Sequence, residues 1–190
     1  MKIICRYIII LCLSGFAACM AAKNRKTASY YRENKEEIEA LRKTYDQLYN
    51  HQPFSAGFTD KSFRYYVMEV TTDSLRYIFN SEKNRRQLGE VIKRFQYDTT
   101  ALRNLSNMLS DTKCLWLSKS SFYVDGQRET VTYLSFNSAT TESPFVENKY
   151  YILIFLPHPI THPDIKKRIQ KGDLIKIDEL VYYTIGNRYR

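Results

Sequence analysis

The sequence is poor in glycine, and it lacks several motifs that mark common enzyme classes. Only six glycines occur in 190 residues, and they are scattered, so the glycine-rich loops that bind nucleotide phosphates are absent. The patterns G-x-S-x-G and H-E-x-x-H are also absent, which removes the serine hydrolase elbow and the zinc protease helix as explanations. The composition is that of a folded domain without a recognisable catalytic signature.

A long hydrophobic run is missing too, although the N-terminus contains a short one. Lys2 and Arg6 precede an uncharged stretch whose dense apolar core is residues 8–13. Crossing a bilayer takes about 20 apolar helical residues, so this core is too short for a membrane-spanning helix. A positive start, a short apolar core and small residues at its end are typical of a signal peptide. We interpret residues 1–18 in this way.

The end of this segment, Phe16-Ala17-Ala18-Cys19, resembles the lipobox of bacterial lipoproteins, Leu-Ala-Gly/Ala-Cys, with Phe16 in place of the usual leucine. The resemblance covers only the N-terminal segment. It implies cleavage before Cys19 and fatty acylation (palmitate) of that cysteine, and Met20 after it resembles lipoproteins released to the outer membrane. The implied location is the envelope of a Gram-negative bacterium, at the outer membrane facing the periplasm. The alternatives are an ordinary secretory peptide or an uncleaved N-terminal anchor.

Cysteine usage fits this interpretation. Cleavage would remove Cys5 and Cys12, and lipid would occupy Cys19, which leaves Cys114 as the single free thiol. An internal disulfide is then excluded, and the fold must be held by its core. Residues 19–29 are polar and basic, so we interpret them as the lipidated cysteine and a flexible tether. We expect residues 30–190 to form a single domain, because their length suits one hydrophobic core.

Helical periodicity dominates the first part of this domain. Apolar residues at steps of three and four predict a helix over residues 30–52 that ends before Pro53, with the stripe Tyr31, Ile38, Leu41, Tyr45 and Leu48. The stripe would also serve as a short coiled-coil seam in a dimer, the alternative to packing on the domain's own core. Further helices are predicted over residues 81–95, with Ser81 as the N-cap, and from Asp98 or Thr99 onward.

The remaining segments predict strands. Residues 53–61 are interpreted as a loop and 62–70 with 75–79 as a hairpin, with a short helix capped by Asp73 as the alternative for 75–79. Residues 149–156 are interpreted as a central strand because this segment is apolar on both faces. Asp125-Gly126 predicts a tight turn between two further strands, 137–148 a polar loop, and 174–177 with 180–185 a final strand pair. Helices grouped mainly before such strands indicate an α+β fold, a mainly antiparallel sheet of about five to seven strands with two or three packed helices, preceded by the lipid tether.

Tyrosine is unusually frequent, with 16 residues, several of them in adjacent pairs. Adjacent residues on a strand face opposite sides of the sheet, so each pair would place one ring in the core and one outward. Outward tyrosines beside basic residues suit recognition of a glycan or an envelope protein. The predicted ligand or partner surface is drawn from Tyr65, Tyr66, Tyr150, Tyr151, Tyr182, Tyr183, His158 and His162. The alternative is that these tyrosines merely cover the domain.

Other reactive residues do not form a convincing site in the sequence. His158 and His162 stand four apart, but the prolines around them exclude the helix that would align both rings on a metal, and Asp164 is the one further ligand nearby. Cys114 has apolar neighbours, so we expect it to be buried and unreactive. Three carboxylates near the last strands are interpreted as surface groups: Asp173, Asp178 and Glu179. No catalytic residue, metal or cofactor is assigned.

These features favour an envelope lipoprotein that acts as a binding or structural component, anchored by Cys19. The net charge of +9 does not indicate a nucleic-acid partner, because the basic residues of 85–94 read as a solvated helix face behind an export signal. The alternative is a membrane-tethered periplasmic hydrolase of cell-wall or glycan substrate, which would use a carboxylate or His158 and His162. A cleft that brings such groups within hydrogen-bond reach would favour the hydrolase. A third hypothesis is a subunit of a larger envelope complex.

Overall fold

The computed structural model describes residues 28–72, 76–81, 83, 85–124, 126–137, 149–159 and 163–188. The interpreted signal peptide, Cys19 and most of the tether lie outside these residues. The chain divides into two units, Met1–Lys35 and Glu36–Arg190. In the first unit residues 28–33 are helical, and the Asn34 backbone N–H donates to the Tyr30 carbonyl (3.1 Å) in a turn. This turn interrupts the helix predicted over 30–52.

After this turn, the described part of the chain forms four helices and eight strands. The helices are α1 (Lys35–His51), α2 (Arg85–Arg94), α3 (Thr99–Asp111) and α4 (Pro163–Gln170). The strands are β1 (Phe54–Phe58), β2 (Tyr66–Thr71), β3 (Arg76–Asn80), β4 (Cys114–Val124), β5 (Gln127–Asn137), β6 (Tyr150–Phe155), β7 (Ile175–Lys176) and β8 (Val181–Gly186).

All eight strands belong to one antiparallel sheet in the order β3-β2-β1-β4-β5-β6-β8-β7. The α+β class is therefore confirmed, whereas the predicted five to seven strands were too few. β6 pairs with β5 on one side and β8 on the other, which confirms that 149–156 contains an inner strand. None of the helices within the described residues is long and apolar enough to cross a membrane.

The apolar stripe of α1 packs on one side of this sheet. Ile38, Leu41 and Tyr45 are fully buried. Tyr45 meets Phe54 edge-on, with 5.2 Å between ring centroids, and its hydroxyl donates to the Phe54 carbonyl at 2.6 Å. The Arg42 guanidinium lies 5.5 Å from the centre of the Phe155 ring. Ile38, Leu41 and Tyr45 are thus buried within the domain itself, so this part of the stripe is not available as a coiled-coil seam for a second chain. We call this side of the sheet the helix face.

The prediction of a loop at 53–61 was wrong, since β1 occupies its first half and pairs with both β2 and β4. Gly57 explains why the strand was hard to recognise. A side chain at Gly57 would collide with the Leu115 carbonyl and come within 2.7 Å of the Trp116 ring, so only glycine lets β1 approach β4 here. In the sequence the same glycine, together with Pro53, favours a loop.

The sequence predicted N-caps for two helices, and the structure confirms one of them. The Asp98 carboxylate accepts hydrogen bonds from the backbone N–H groups of Thr100 and Ala101, which confirms it as the N-cap of α3. Ser81 is not the cap of α2, because its N–H extends the β2–β3 ladder by donating to the Tyr66 carbonyl (2.8 Å) and the helix begins only at Arg85.

The two strands of the hairpin predicted around Asp125-Gly126 are present and paired. β4 and β5 pair with Val124 opposite Gln127, so two residues connect them. Gly126 has φ +80°, a conformation that glycine adopts without strain. Asp125 and the predicted loop residues 138–148 lie outside the described residues.

Candidate functional site

A pocket of about 230 Å³ lies between α4 and the side of the sheet opposite the helix face. We call it the α4 pocket. Its floor is a row of side chains from three adjacent strands, since Tyr133 of β5 stands opposite Ile154 of β6, which stands opposite Tyr182 of β8. The lining residues are Phe122, Val131, Tyr133, Ile154, Leu156, Asp164, Ile165, Arg168, Leu174 and Tyr182.

The chain that follows α4 closes one wall of the pocket. Gly172 has φ +75° and its N–H donates to the Ile169 carbonyl, which ends the helix in the way that glycine commonly does. The Arg168 carbonyl then accepts from the N–H groups of Asp173 (2.9 Å) and Leu174 (3.2 Å). This turn directs Leu174 inward, where it is buried together with Val131, Ile154 and Leu156.

Two tyrosines and two charged residues supply the polar groups of the lining. Burial raises the pKa of Tyr133, and the nearby Arg168 guanidinium acts in the opposite direction. The positive charge of Arg168 is therefore felt at the Tyr133 hydroxyl, on the sheet side of the pocket. Asp164 lies one helical turn before Arg168, so the two lie on neighbouring positions of the same helix face.

A histidine–carboxylate contact lies on the same side of the sheet. Nε2 of His158 is 2.7 Å from Oε2 of Glu129. Glu129 is opposite Phe122, which lines the pocket, and its side chain is only 13% exposed, whereas that of His158 is 54% exposed. The contact joins the segment after β6 to β5 and holds the Glu129 carboxylate against an imidazole.

The structure distributes the predicted surface residues over several places. Tyr182 lines the α4 pocket, and His158 contacts Glu129. Tyr150 and Tyr183 are buried, at 9% and 1% exposure. Tyr65, Tyr66 and Tyr151 are half-buried and line no part of this pocket, and His162 lies outside the described residues.

The strand tyrosine pairs follow the expected alternation within the sheet. Tyr151 and Tyr183 belong to the helix face, and Tyr150 and Tyr182 to the opposite side. Burial raises the pKa of the Tyr66 hydroxyl, and burial with the neighbouring Tyr151 raises that of Tyr183 to about 12. Both hydroxyls therefore stay neutral, and their role is in packing rather than in an exposed surface.

Cys114 is fully buried, as its apolar neighbours indicated. Its thiol lies 3.4 Å from the Trp116 carbonyl and 3.6 Å from the Ser135 carbonyl. Burial raises the pKa of the Cys114 thiol to about 12, so at neutral pH it carries none of the thiolate character that a nucleophile needs.

One motif went unnoticed in the sequence. Ser110-Asp111-Thr112-Lys113 fits S-x-x-K, the pattern of some serine acyl-enzymes. Here α3 ends at Asp111, and Lys113 has φ +54°. Its Nζ lies 5.5 Å from the centre of the Phe63 ring. A helix through all four residues would align serine and lysine on one face, and this helix ends too early.

The remaining acidic candidates do not gather into a metal site. Among the described residues, no group of three or more histidine, cysteine, aspartate or glutamate side chains could hold a metal ion. Asp173 is exposed, and Oδ1 of Asp178 accepts from the N–H of Glu179 at 2.8 Å. Tyr133 and Arg168 are the important pocket residues that the sequence did not single out.

No family model, curated protein or solved structure matches this chain.

Proposed function

We propose that this protein is an envelope lipoprotein that binds a small molecule in the α4 pocket while Cys19 anchors it to the membrane. The observation that carries the proposal is the pocket itself, an apolar concavity with a few polar groups at fixed positions. Ligand sites in proteins have this composition, because apolar walls supply affinity and a few polar groups supply orientation. The lipobox-like segment Phe16-Ala17-Ala18-Cys19 supports the anchor.

The volume limits the size of the ligand. An apolar cavity of about 150 Å³ holds benzene, and sites for drug-sized ligands measure about 300–1,000 Å³. The α4 pocket, at about 230 Å³, lies between these values. The ligand that it encloses is therefore a single ring or a short chain, or one such group of a larger molecule.

A neutral probe with a single ring tests the proposal. We expect 3-phenylpropanamide to bind the purified full chain with a Kd on the order of 0.1–1 mM, as befits so small a ligand, and to raise the melting temperature. Ile165→Trp should abolish the effect, because the larger ring fills the pocket that Ile165 lines. Ile169→Trp is the matched control, one turn further along α4 at a residue that is 37% exposed.

A probe that stabilises both variants as strongly as the parent chain would place binding elsewhere and contradict the proposal. Absence of any stabilisation of the parent chain would contradict it as well.

One observation favours the alternative of a membrane-tethered hydrolase for cell-wall or glycan substrate. The Glu129 carboxylate orients the His158 imidazole, and a histidine held in this way is a general base in many enzymes. Incubation with solubilised peptidoglycan tests it. Release of soluble fragments that is lost in both His158→Ala and Glu129→Gln would favour the hydrolase, whereas the binding function predicts no release by any of the three proteins.

A further inference from the structure

Two charged residues line the α4 pocket, and both belong to α4. Their positions along the helix give them different electrostatic surroundings. Asp164 lies in the first turn of the helix, where the helix dipole stabilises a carboxylate. Arg168 lies one turn later and acts on the Tyr133 hydroxyl of the floor. Arg168 is therefore the charged lining residue whose effect reaches a side chain of the floor.

The residues around the pocket add further positive charge. Lys166, Lys167 and Lys171 are exposed on α4 and the turn after it. On the sheet, Lys176 of β7 pairs in register with Tyr182, which lines the pocket. The nearest acidic residue of the floor strands, Glu129, is already in contact with His158 at 2.7 Å. These cations outnumber the exposed carboxylates of the same segment, Asp164 and Asp173, and therefore favour an anion at this opening.

We propose that the α4 pocket takes a compact organic anion, an aromatic or short acyl group that ends in a carboxylate, with the apolar group on the sheet floor and the carboxylate on Arg168. This inference rests on the proposed binding function and adds the chemical class of the ligand. A guanidinium binds a carboxylate through two parallel hydrogen bonds, and Tyr133 offers a hydroxyl donor beside it. The pocket residues Phe122, Val131 and Leu174 supply the apolar surroundings.

Three probes that share one apolar group separate the effect of charge from that of shape. They are 3-phenylpropionate, 3-phenylpropanamide and 3-phenylpropylamine, which carry negative, neutral and positive head groups. We expect calorimetry on the full chain to show binding of the carboxylate on the order of tenfold tighter than the amide, as a charge-assisted hydrogen bond allows. The amine should bind more weakly than the amide.

Two variants assign the preference to one side chain. Arg168→Gln should remove the tenfold preference for the carboxylate over the amide. The substitution spares the turn after α4, because that turn uses the Arg168 carbonyl and not its side chain. Lys167→Gln is the control for overall charge, since it removes an exposed cation that does not line the pocket. It should keep most of the preference.

Each outcome has a distinct meaning. Equal affinity for carboxylate and amide in the parent chain would overturn the anionic ligand class but leave pocket binding intact. Tighter binding of the amine would also overturn it and would assign Asp164 as the recognition residue. A preference that survives in Arg168→Gln would overturn the role of Arg168. Failure of all three probes to bind would overturn the proposed binding function together with this inference.

Discussion

Lys119 on β4 reaches across the helix face to Asp46 on α1, with 2.7 Å between its Nζ and Oδ1 of the carboxylate. The Lys119 side chain is only 11% exposed, and its Nζ lies 4.7 Å from the centre of the Tyr49 ring. Asp46 also contacts Arg42 at 3.1 Å. The pair therefore fastens α1 to the middle of the sheet at a place with little access to water.

We expect Lys119→Met to lower the free energy of unfolding by about 1–2 kcal/mol, between the values for exposed and buried ion pairs. The loss has two sources, an Asp46 carboxylate with one partner fewer and a lost cation–aromatic contact. Urea unfolding measures it. Arg86→Met is the control, because the Arg86–Glu90 pair is 93% and 65% exposed and its loss should barely register. Equal effects of the two substitutions would refute the fastening role.

Gly57 is the second position where the fold depends on one residue. Gly57→Ala should cost about 2 kcal/mol or more, because the added methyl group meets the Leu115 carbonyl and the Trp116 ring between two paired strands. Gly89→Ala is the matched control in α2, where nothing lies within 4 Å of the added atom. There the same change should stabilise the chain by about 0.5–1 kcal/mol through helix propensity. A tolerated Gly57→Ala would show that β1 and β4 are further apart.

The strand that contains Gly57 shows what the sequence could and could not predict. Periodicity identified α1, α3, the hairpins and the inner strand β6, because each buries a regular stripe or alternation. It failed at β1, where a close backbone approach requires glycine, and the same residue read locally signals a loop. That distinction depends on Trp116, which is 59 positions away in the chain. A local pattern contains no such information.

The candidate site was predicted only in part for a similar reason. Tyr182 was selected as a member of an adjacent tyrosine pair and His158 as a histidine between prolines, and both lie on the pocket side of the sheet. Tyr133 and Arg168 were not selected, because nothing in their own segments distinguishes them. They become neighbours only when α4 folds back across β5, which sequence spacing does not reveal.

Cys114 gives the stability of the fold a defined dependence on pH. The thiol ionises at about pH 8.5 in an unfolded chain, whereas burial raises its pKa to about 12 in the native state. As the pH rises between these values, the unfolded state releases a proton that the native state keeps, so the contribution of this group to stability is lost. It is fully present below about pH 8.5.

The comparison of the parent chain with Cys114→Ala isolates this contribution. The free energy of unfolding of the parent should fall more steeply between pH 8.5 and 11 than that of the variant, whatever the offset between them. All other ionising groups are common to both chains. Parallel curves of the free energy of unfolding against pH would contradict the burial of Cys114. Rapid alkylation of Cys114 in the native protein at pH 8, detected by peptide mapping, would contradict it as well.

The proposed lipid anchor at Cys19 has its own test. Cys19→Ser should prevent incorporation of a labelled fatty acid and leave the precursor uncleaved, because acylation of the cysteine precedes cleavage in the lipoproteins that the segment resembles. Phe16→Leu, which restores the usual lipobox residue, should retain or improve labelling. Acyl labelling that persists in Cys19→Ser would refute the anchor.

The most direct test of the binding function is to locate the probe on the protein. In nuclear Overhauser spectra of the methyl-labelled full chain with 3-phenylpropionate, the ring protons should show contacts to Val131, Leu156 and Leu174, which line the α4 pocket. These contacts should vanish in Ile165→Trp and persist in Ile169→Trp. Contacts only to Ile78 and Ile185, which are 57% and 38% exposed and lie outside the pocket, would show adsorption at the surface and contradict a binding function for this pocket.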